Sequence, residues 1–123
     1  MENTKSVPAL LLEVRTAKGN KLIVISQILY IQSCNKHCFI YFANGEPPLE
    51  THALLKWFEE ELPAGSFCRC HDSYIVNCAF IDCICGNKFV LTNNTYIPVS
   101  RGRKDYSRVA LEWFILEQQF APK

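Results

Sequence analysis

The sequence predicts a mainly β protein of short antiparallel strands in packed sheets, with one short internal helix and a second helix at the C-terminus. Short runs of β-branched and aromatic residues recur between Gly, Asn and Pro turn signals, a pattern typical of antiparallel sheets. Apolar residues follow helical spacing in only two segments. The chain has 123 residues, of which 49% are hydrophobic and 20% charged, so it is long enough for one sizeable core.

Two hairpins are predicted in the first part of the chain. The turn residues Lys18-Gly19-Asn20 join the first pair of strands, and the segment CNKHC joins the second pair, with Lys36 and His37 at its tip. Asn44-Gly45 is a further turn signal, and Pro47-Pro48 predicts irregular structure just after it. The expected strands cover residues 10–16, 22–25, 28–33 and 39–43.

A short amphipathic helix is predicted from Thr51, where the apolar period changes. Apolar residues recur at helical spacing, and Pro63-Ala64-Gly65 ends the run. They are Leu54, Leu55, Phe58 and Leu62. The glutamates among them should lie on the solvated side.

The segment FCRCHDSYIVN, residues 67–77, has strand periodicity that is interrupted at His71-Asp72-Ser73. A meander of three strands should follow, at 80–85, 88–92 and 95–99. Ser100 is a predicted N-cap for a closing helix over about 101–119. The apolar residues that fit this helix are Tyr106, Val109, Ala110, Trp113, Phe114 and Leu116. No repeat or linker divides the chain, so we expect one domain over residues 1–123.

The charge distribution is uneven although the net charge is only +1. Basic residues concentrate at 100–108 and acidic ones at 50–62. No apolar run is long enough for a membrane span, and the first residues do not resemble a signal peptide, so we expect a cytoplasmic location.

The seven cysteines do not suggest a disulfide framework, because their number is odd and no export signal is visible. Their spacings favour small buried hydrophobic residues over a zinc site. A zinc or thiol sensor stays an alternative, built from Cys34, Cys38, Cys68, Cys70, Cys83 and Cys85.

Catalysis is disfavoured by the sequence. His37 and Cys38, like His71 and Cys70, are strand neighbours that would point to opposite faces, so neither pair suits a nucleophilic dyad. The glycines are scattered singly and form no phosphate-binding loop. We therefore expect a protein that is not an enzyme and needs no cofactor.

Three predicted loops carry hydrogen-bond donors of the kinds that contact nucleic acid. Arginine pairs bidentately with guanine or phosphate, histidine and asparagine can contact base edges, and serine suits phosphate oxygens. The residues of these loops are Asn35, Lys36 and His37, then His71, Asp72 and Ser73, and last Ser100, Arg101, Arg103 and Lys104.

The segment FCRCHDSYIVN resembles the signature of the LytTR family of bacterial DNA-binding domains. Three further segments resemble that family in the same order: ILYIQSCNKHCFIYFANG its paired strands, LLKWFEEELPAGSF its helix and Leu-Pro stop, and TYIPVSRGRK its strand ending in Ser-Arg. Together they span about residues 10–110. The resemblance implies an elongated domain of about ten short strands. It also implies that loops enter successive major grooves of bent DNA in transcriptional control.

The resemblance assigns roles by position. His37, Asp72 and Arg101 match residues expected to contact bases, while Ser100 and Lys104 fall where phosphate contacts are expected. We add Lys36 and Arg103 as phosphate contacts because both are basic. Asp72 departs from the family, which usually has a basic or amide residue there. An aspartate could accept from a cytosine amino group, or it could repel phosphate.

LytTR domains are commonly attached to a receiver domain, but the first predicted strand begins here at residue 10. We therefore expect no receiver domain in this chain. It would be a stand-alone regulator, controlled by a separate partner protein, or an excised domain. Binding at repeated duplex sites, as a homodimer on DNA, is a further expectation. The alternative is a protein-interaction module on the same scaffold, with weak or lost DNA binding.

Overall fold

The computed structural model describes residues 11–120, and this part of the chain forms ten strands and two α-helices. The strands are β1 (Leu11–Thr16), β2 (Gly19–Val24), β3 (Ile28–Cys34), β4 (His37–Phe42), β5 (Leu49–Thr51), β6 (Phe67–His71), β7 (Tyr74–Asn77), β8 (Ile81–Cys85), β9 (Lys88–Leu91) and β10 (Tyr96–Pro98). Helix α1 (Leu55–Glu61) lies between β5 and β6, and helix α2 (Lys104–Phe120) follows β10. The predicted class, mainly β with one internal and one C-terminal helix, is confirmed.

The strands form three antiparallel sheets. Strands β1 and β2 make a hairpin, β5-β4-β3-β7-β6 make a central sheet of five, and β10-β9-β8 make the predicted meander. The central sheet is buried on both faces, because neighbouring residues of one strand point to opposite sides. Ile75 belongs to an apolar cluster with Phe58 of α1, whereas Val76 belongs to a second cluster with Leu111 of α2. Each helix therefore packs into one of the two clusters.

Strand β5 is not predicted from the sequence, and the first helix begins later than predicted. Thr51, the predicted start of the helix, lies in β5 opposite Cys38 and is fully buried. Its hydroxyl donates to the Cys38 carbonyl at 3.2 Å. Residues 46–48, which include Pro47-Pro48, have no regular structure, as predicted. The edge strand β5 follows them, and α1 begins at Leu55. Pairing of β5 with the preceding strand β4 overrides the local period.

Two predicted boundaries shift by a few residues. The first hairpin turns at 17–18, because Gly19 has φ 111°, which favours glycine, and pairs with Thr16 as the first residue of β2. Leu10, the predicted start of the first strand, lies outside the described residues. Ser100 is the N-cap of a 3-10 turn, Arg101–Arg103, but its side chain makes no capping hydrogen bond, and α2 begins after that turn. Within residues 11–120, neither helix has the length and apolar character that crossing a membrane requires.

Candidate nucleic-acid interface

The β3–β4 and β6–β7 turns lie side by side at one end of the central sheet. Strands β3 and β7 are antiparallel neighbours, with Gln32 opposite Tyr74. One residue further, the Ser33 amide donates to the Ser73 carbonyl at 2.9 Å. Two segments that are about forty residues apart in sequence therefore meet at this end.

The segment that begins at Ser100 joins the same end. The Ser100 amide donates to the carbonyl of Cys70 in β6 at 2.9 Å. Beyond it, Nη2 of Arg103 lies 3.3 Å from Oδ1 of Asp72. The structure thus brings together all three of the segments that the sequence singles out for their donors, and we call this end the turn cluster: residues 35–37, 71–73 and 100–104.

In the β3–β4 turn, the three predicted residues have different environments. Asn35 has φ 60°, a left-handed conformation that asparagine tolerates better than most residues, so it shapes the turn. Lys36 is exposed at the tip. His37 is the first residue of β4 rather than part of the loop, and its Nδ1 contacts Oε2 of Glu50 in β5. The contact of Glu50 with His37 is not predicted from the sequence, because strand β5, which carries Glu50, is not predicted either.

The β6–β7 turn consists of Asp72 and Ser73 alone, and His71 ends β6 opposite Tyr74. The Ser73 amide donates to Nδ1 of His71 at 3.0 Å. A ring nitrogen that accepts carries no hydrogen, so in the neutral ring the hydrogen is on Nε2. The His71 ring also packs edge-on against Tyr74, with centroids 5.6 Å apart. His71 therefore holds the turn and retains one donor at Nε2.

Asp72 is the most exposed member of the pairs in this cluster, with 83% of its side chain accessible. Its carboxylate contacts Arg103, and its backbone carbonyl accepts from Nη2 of Arg69 at 2.8 Å. Nη1 of Arg69 donates to Glu59 of α1 at 3.0 Å. The Arg69 side chain is only 18% exposed, so this guanidinium fastens the turn to the internal helix.

Arg69 and Glu59 form an ion pair beside the turn cluster that the sequence does not predict. Glu59, Glu60 and Glu61 are exposed, as predicted for the acidic side of α1, but Glu59 also pairs with Arg69. The Arg69–Glu59 pair joins a strand to a helix, so no local sequence pattern predicts it.

The charges of the turn cluster are partly balanced. Arg103 and His37 each contact a carboxylate, of Asp72 and Glu50 respectively. Arg101 and Lys104 are exposed. The cluster can therefore offer the exposed positive side chains of Arg101 and Lys104 to an anion, beside two groups that are held in place by acids.

Four of the seven cysteines are buried, as the sequence favours: Cys38, Cys68, Cys70 and Cys78. Burial raises the pKa of the Cys70 thiol to about 12 and that of Cys38 to about 11. Cys34, Cys83 and Cys85 are exposed, the first in the central sheet and the others in β8. Among residues 11–120, no three His, Cys, Asp or Glu side chains are grouped so as to hold a metal ion.

Comparison with known proteins agrees with the fold. The family model of the LytTr DNA-binding domain matches residues 18–112. The fold is similar to that of the LytTr DNA-binding domain of a protein described as a methyl-accepting/DNA response regulator from Bacillus cereus. The two are 28% identical, with a TM-score of 0.69, over 82% of this chain and 95% of that one. A search of the curated proteins finds no match. The chain belongs to the LytTR family of DNA-binding domains.

Proposed function

We propose that this protein is a sequence-specific regulator of transcription that inserts the turn cluster into successive major grooves of double-stranded DNA. The observation that supports it most is the meeting of three donor-bearing segments at one end of the sheet, in a chain of a DNA-binding family. The proposal assigns no catalysis, since that family is one of DNA-binding domains. Side-by-side binding at repeated sites, control by a separate partner protein and a cytoplasmic location belong to the same proposal.

Phosphate contacts would come from the basic side chains at the edges of the cluster. Lys36 and Lys104 are exposed, and Ser100 is half-buried, with its amide bonded to Cys70 of β6. Phosphate contacts set the register of a protein on the duplex but carry little sequence information. With so few cations, binding should weaken with salt by a modest slope, equivalent to roughly three to five phosphates.

Base contacts would come from Arg101 and His37. Arg101 is exposed in the 3-10 turn that follows β10, and an arginine can pair bidentately with guanine. His37 is held by Glu50, so its ring would meet a base edge in a restricted orientation. His71, Ser73 and Asn35 shape the turns that carry these groups.

Asp72 acquires a third interpretation from the structure, beside repulsion of phosphate and contact with cytosine. Its carboxylate holds the guanidinium of Arg103 at 3.3 Å, so it positions that arginine and reduces its charge toward the duplex. A positioned arginine would make fewer sequence-independent contacts.

The test is selection from a random duplex library at near-physiological salt. Wild type and Arg101→Ala are compared, with Arg15→Ala as the matched control because Arg15 is an exposed arginine of β1. We expect wild type and Arg15→Ala to enrich one motif and Arg101→Ala to lose it. Lack of enrichment by folded wild type, or a salt slope near zero, would refute the proposal.

A further inference from the structure

Helix α2 carries a second apolar face that no other part of residues 11–120 covers. Five large side chains on it are exposed: Tyr106 by 54%, Val109 by 49%, Trp113 by 62%, Leu116 by 45% and Phe120 by 81%. Their spacings alternate between three and four residues, which places them in one stripe along a helix. We call this set the outer stripe.

The outer stripe is distinct from the face by which α2 packs on the protein. That inner face consists of Ser107, Ala110, Leu111 and Phe114, which are buried or half-buried against the cluster that contains Cys68 and Cys70. At 100° per residue, the centres of the two faces are more than a quarter-turn apart around the helix. Packing within the protein therefore does not account for the outer stripe.

The exposed area is large for one helix. An aromatic side chain can bury 150–250 Å², so the exposed fractions of Tyr106, Trp113 and Phe120 correspond to roughly 400 Å² of surface. This is comparable to the largest apolar patch on a typical monomer, about 300–600 Å², which is often functional. If two copies met through this stripe, the aromatic residues alone would remove roughly 800 Å², and the aliphatic residues would bring the total toward the lower limit of a stable interface at about 1,200 Å².

The charges that accompany the stripe indicate which partner fits. Residues 101–108 contain four basic side chains and one acidic, whereas residues 109–120 contain Glu112 and Glu117 and no basic residue. A second copy laid antiparallel about Trp113 places the first turns of each helix, with Arg108 and the positive end of the dipole, beside the partner's last turns, which contain Glu117. A parallel copy would place like charges together. An antiparallel two-fold pair is also self-complementary, which is the commonest symmetry of soluble oligomers.

The stripe itself is nearly symmetric about Trp113. Tyr106 and Phe120 lie seven residues before and after it, while Val109 and Leu116 lie four before and three after. In an antiparallel pair centred there, the two Trp113 side chains meet at the two-fold axis and Tyr106 faces Phe120 of the second copy. We propose that the outer stripe binds a second copy of this chain, as an antiparallel pair of α2 helices centred on Trp113.

Such a pair would hold the two turn clusters at opposite ends. Helix α2 begins beside the turn cluster, and its far part approaches Gly65, before the start of β6, so it runs antiparallel to β6. The two clusters would then be separated by about the length of a 17-residue helix, roughly 25 Å, and would face away from each other. This pair would hold two duplex segments, so side-by-side binding at repeated sites of one duplex would use a different contact between copies.

The first test is sedimentation equilibrium without DNA, so its outcome is independent of the proposed function. Trp113→Glu should raise the dimer dissociation constant at least tenfold, because a charge would lie at the centre of the apolar contact. Ile115→Glu is the matched control, since Ile115 is 49% exposed on the same helix but lies off the stripe. It should leave the constant within threefold. Circular dichroism shows whether each variant is folded. A wild type that is monomeric at all concentrations, or a dimer that Trp113→Glu does not weaken, would overturn the proposal.

The second test establishes the orientation. In a background where the exposed Cys34, Cys83 and Cys85 are serine, Tyr106→Cys and Phe120→Cys are oxidised separately and as a mixture. An antiparallel pair should give cross-linked dimers mainly in the mixture. Efficient cross-linking of either variant with itself would show a parallel pair and refute the arrangement.

Discussion

Asp72→Asn removes a carboxylate that lies 3.3 Å from Nη2 of Arg103 while keeping the size of the side chain. If Asp72 restrains Arg103, the variant should bind every duplex more tightly, because the guanidinium becomes free to contact a phosphate. Its preference for the selected site over random duplex should fall, since the added contact carries no sequence information.

The magnitude follows from the exposure of the pair. At 3.3 Å the attraction in a water-like medium is about 1 kcal/mol, and surface pairs of this kind typically contribute 0–1 kcal/mol to stability. The free energy of unfolding of Asp72→Asn should therefore differ from that of the wild type by less than about 1 kcal/mol. One additional phosphate contact steepens the dependence of log K on log salt by about 0.9, so the affinity gain should shrink about 3.5-fold over a fourfold rise in salt.

The assay is fluorescence anisotropy with the selected duplex and a scrambled one, across a salt series. Asp82→Asn is the matched control, because Asp82 is an exposed aspartate of β8 and its loss changes net charge equally. Equal gains by both variants would mean that net charge alone acts, and no gain by Asp72→Asn would refute the restraint of Arg103. A loss confined to one base pair would instead establish base contact by Asp72.

Three further predictions rest on contacts in or near the turn cluster. Glu50→Gln keeps an acceptor for His37 but removes a negative charge, so its binding to random duplex should strengthen at low salt while its preference for the selected site is retained. Glu50→Ala should weaken that preference, as measured by competition binding. Arg69→Met removes hydrogen bonds to Glu59 and to the Asp72 carbonyl, so the free energy of unfolding measured with urea should fall by about 1–3 kcal/mol. Arg108→Met, the control, should lower it by less than about 0.5 kcal/mol, because the Arg108 side chain is 64% exposed. Equal losses would contradict the role of Arg69. Burial raises the pKa of the Cys70 thiol from 9.0 to about 12, so on raising the pH the thiol ionises first in the unfolded chain. The contribution of this thiol to the free energy of unfolding is complete below about pH 9 and falls toward pH 12 by about 1.4 kcal/mol per pH unit. Cys70→Ala should reduce the pH dependence of the free energy of unfolding, measured with urea, by that amount.

Features with a local cause are those that the sequence predicts well. The meander β8–β10 follows from short apolar runs separated by Gly86-Asn87 and Asn93-Asn94, and the structure places the strands there. Helix α1 is also recovered, apart from its start, because Pro63 and the apolar spacing act within one or two turns. Thr51 is the exception, since its conformation depends on pairing with Cys38, thirteen residues earlier.

The candidate site divides in the same way. All three donor segments are visible in the sequence, because each consists of a few polar residues that interrupt an apolar period. Their meeting at one end is not visible, since it requires the register of β3 against β7 and the contact of Ser100 with Cys70. The partners of His37 and Asp72 are hidden for the same reason.

By itself, therefore, the sequence determined the β class, the presence and order of the turns and helices, and the LytTR family. Each turn and helix depends on residues close together along the chain. Only the tertiary structure decided that the turns form one cluster, that Asp72 holds Arg103, and that Arg69 fastens the turn to α1. It also decided which apolar side of α2 is packed: Phe114 faces the core while Trp113 faces solvent. The apolar spacing of a helix shows how many faces could be buried, but burial itself depends on which distant strands lie against each face.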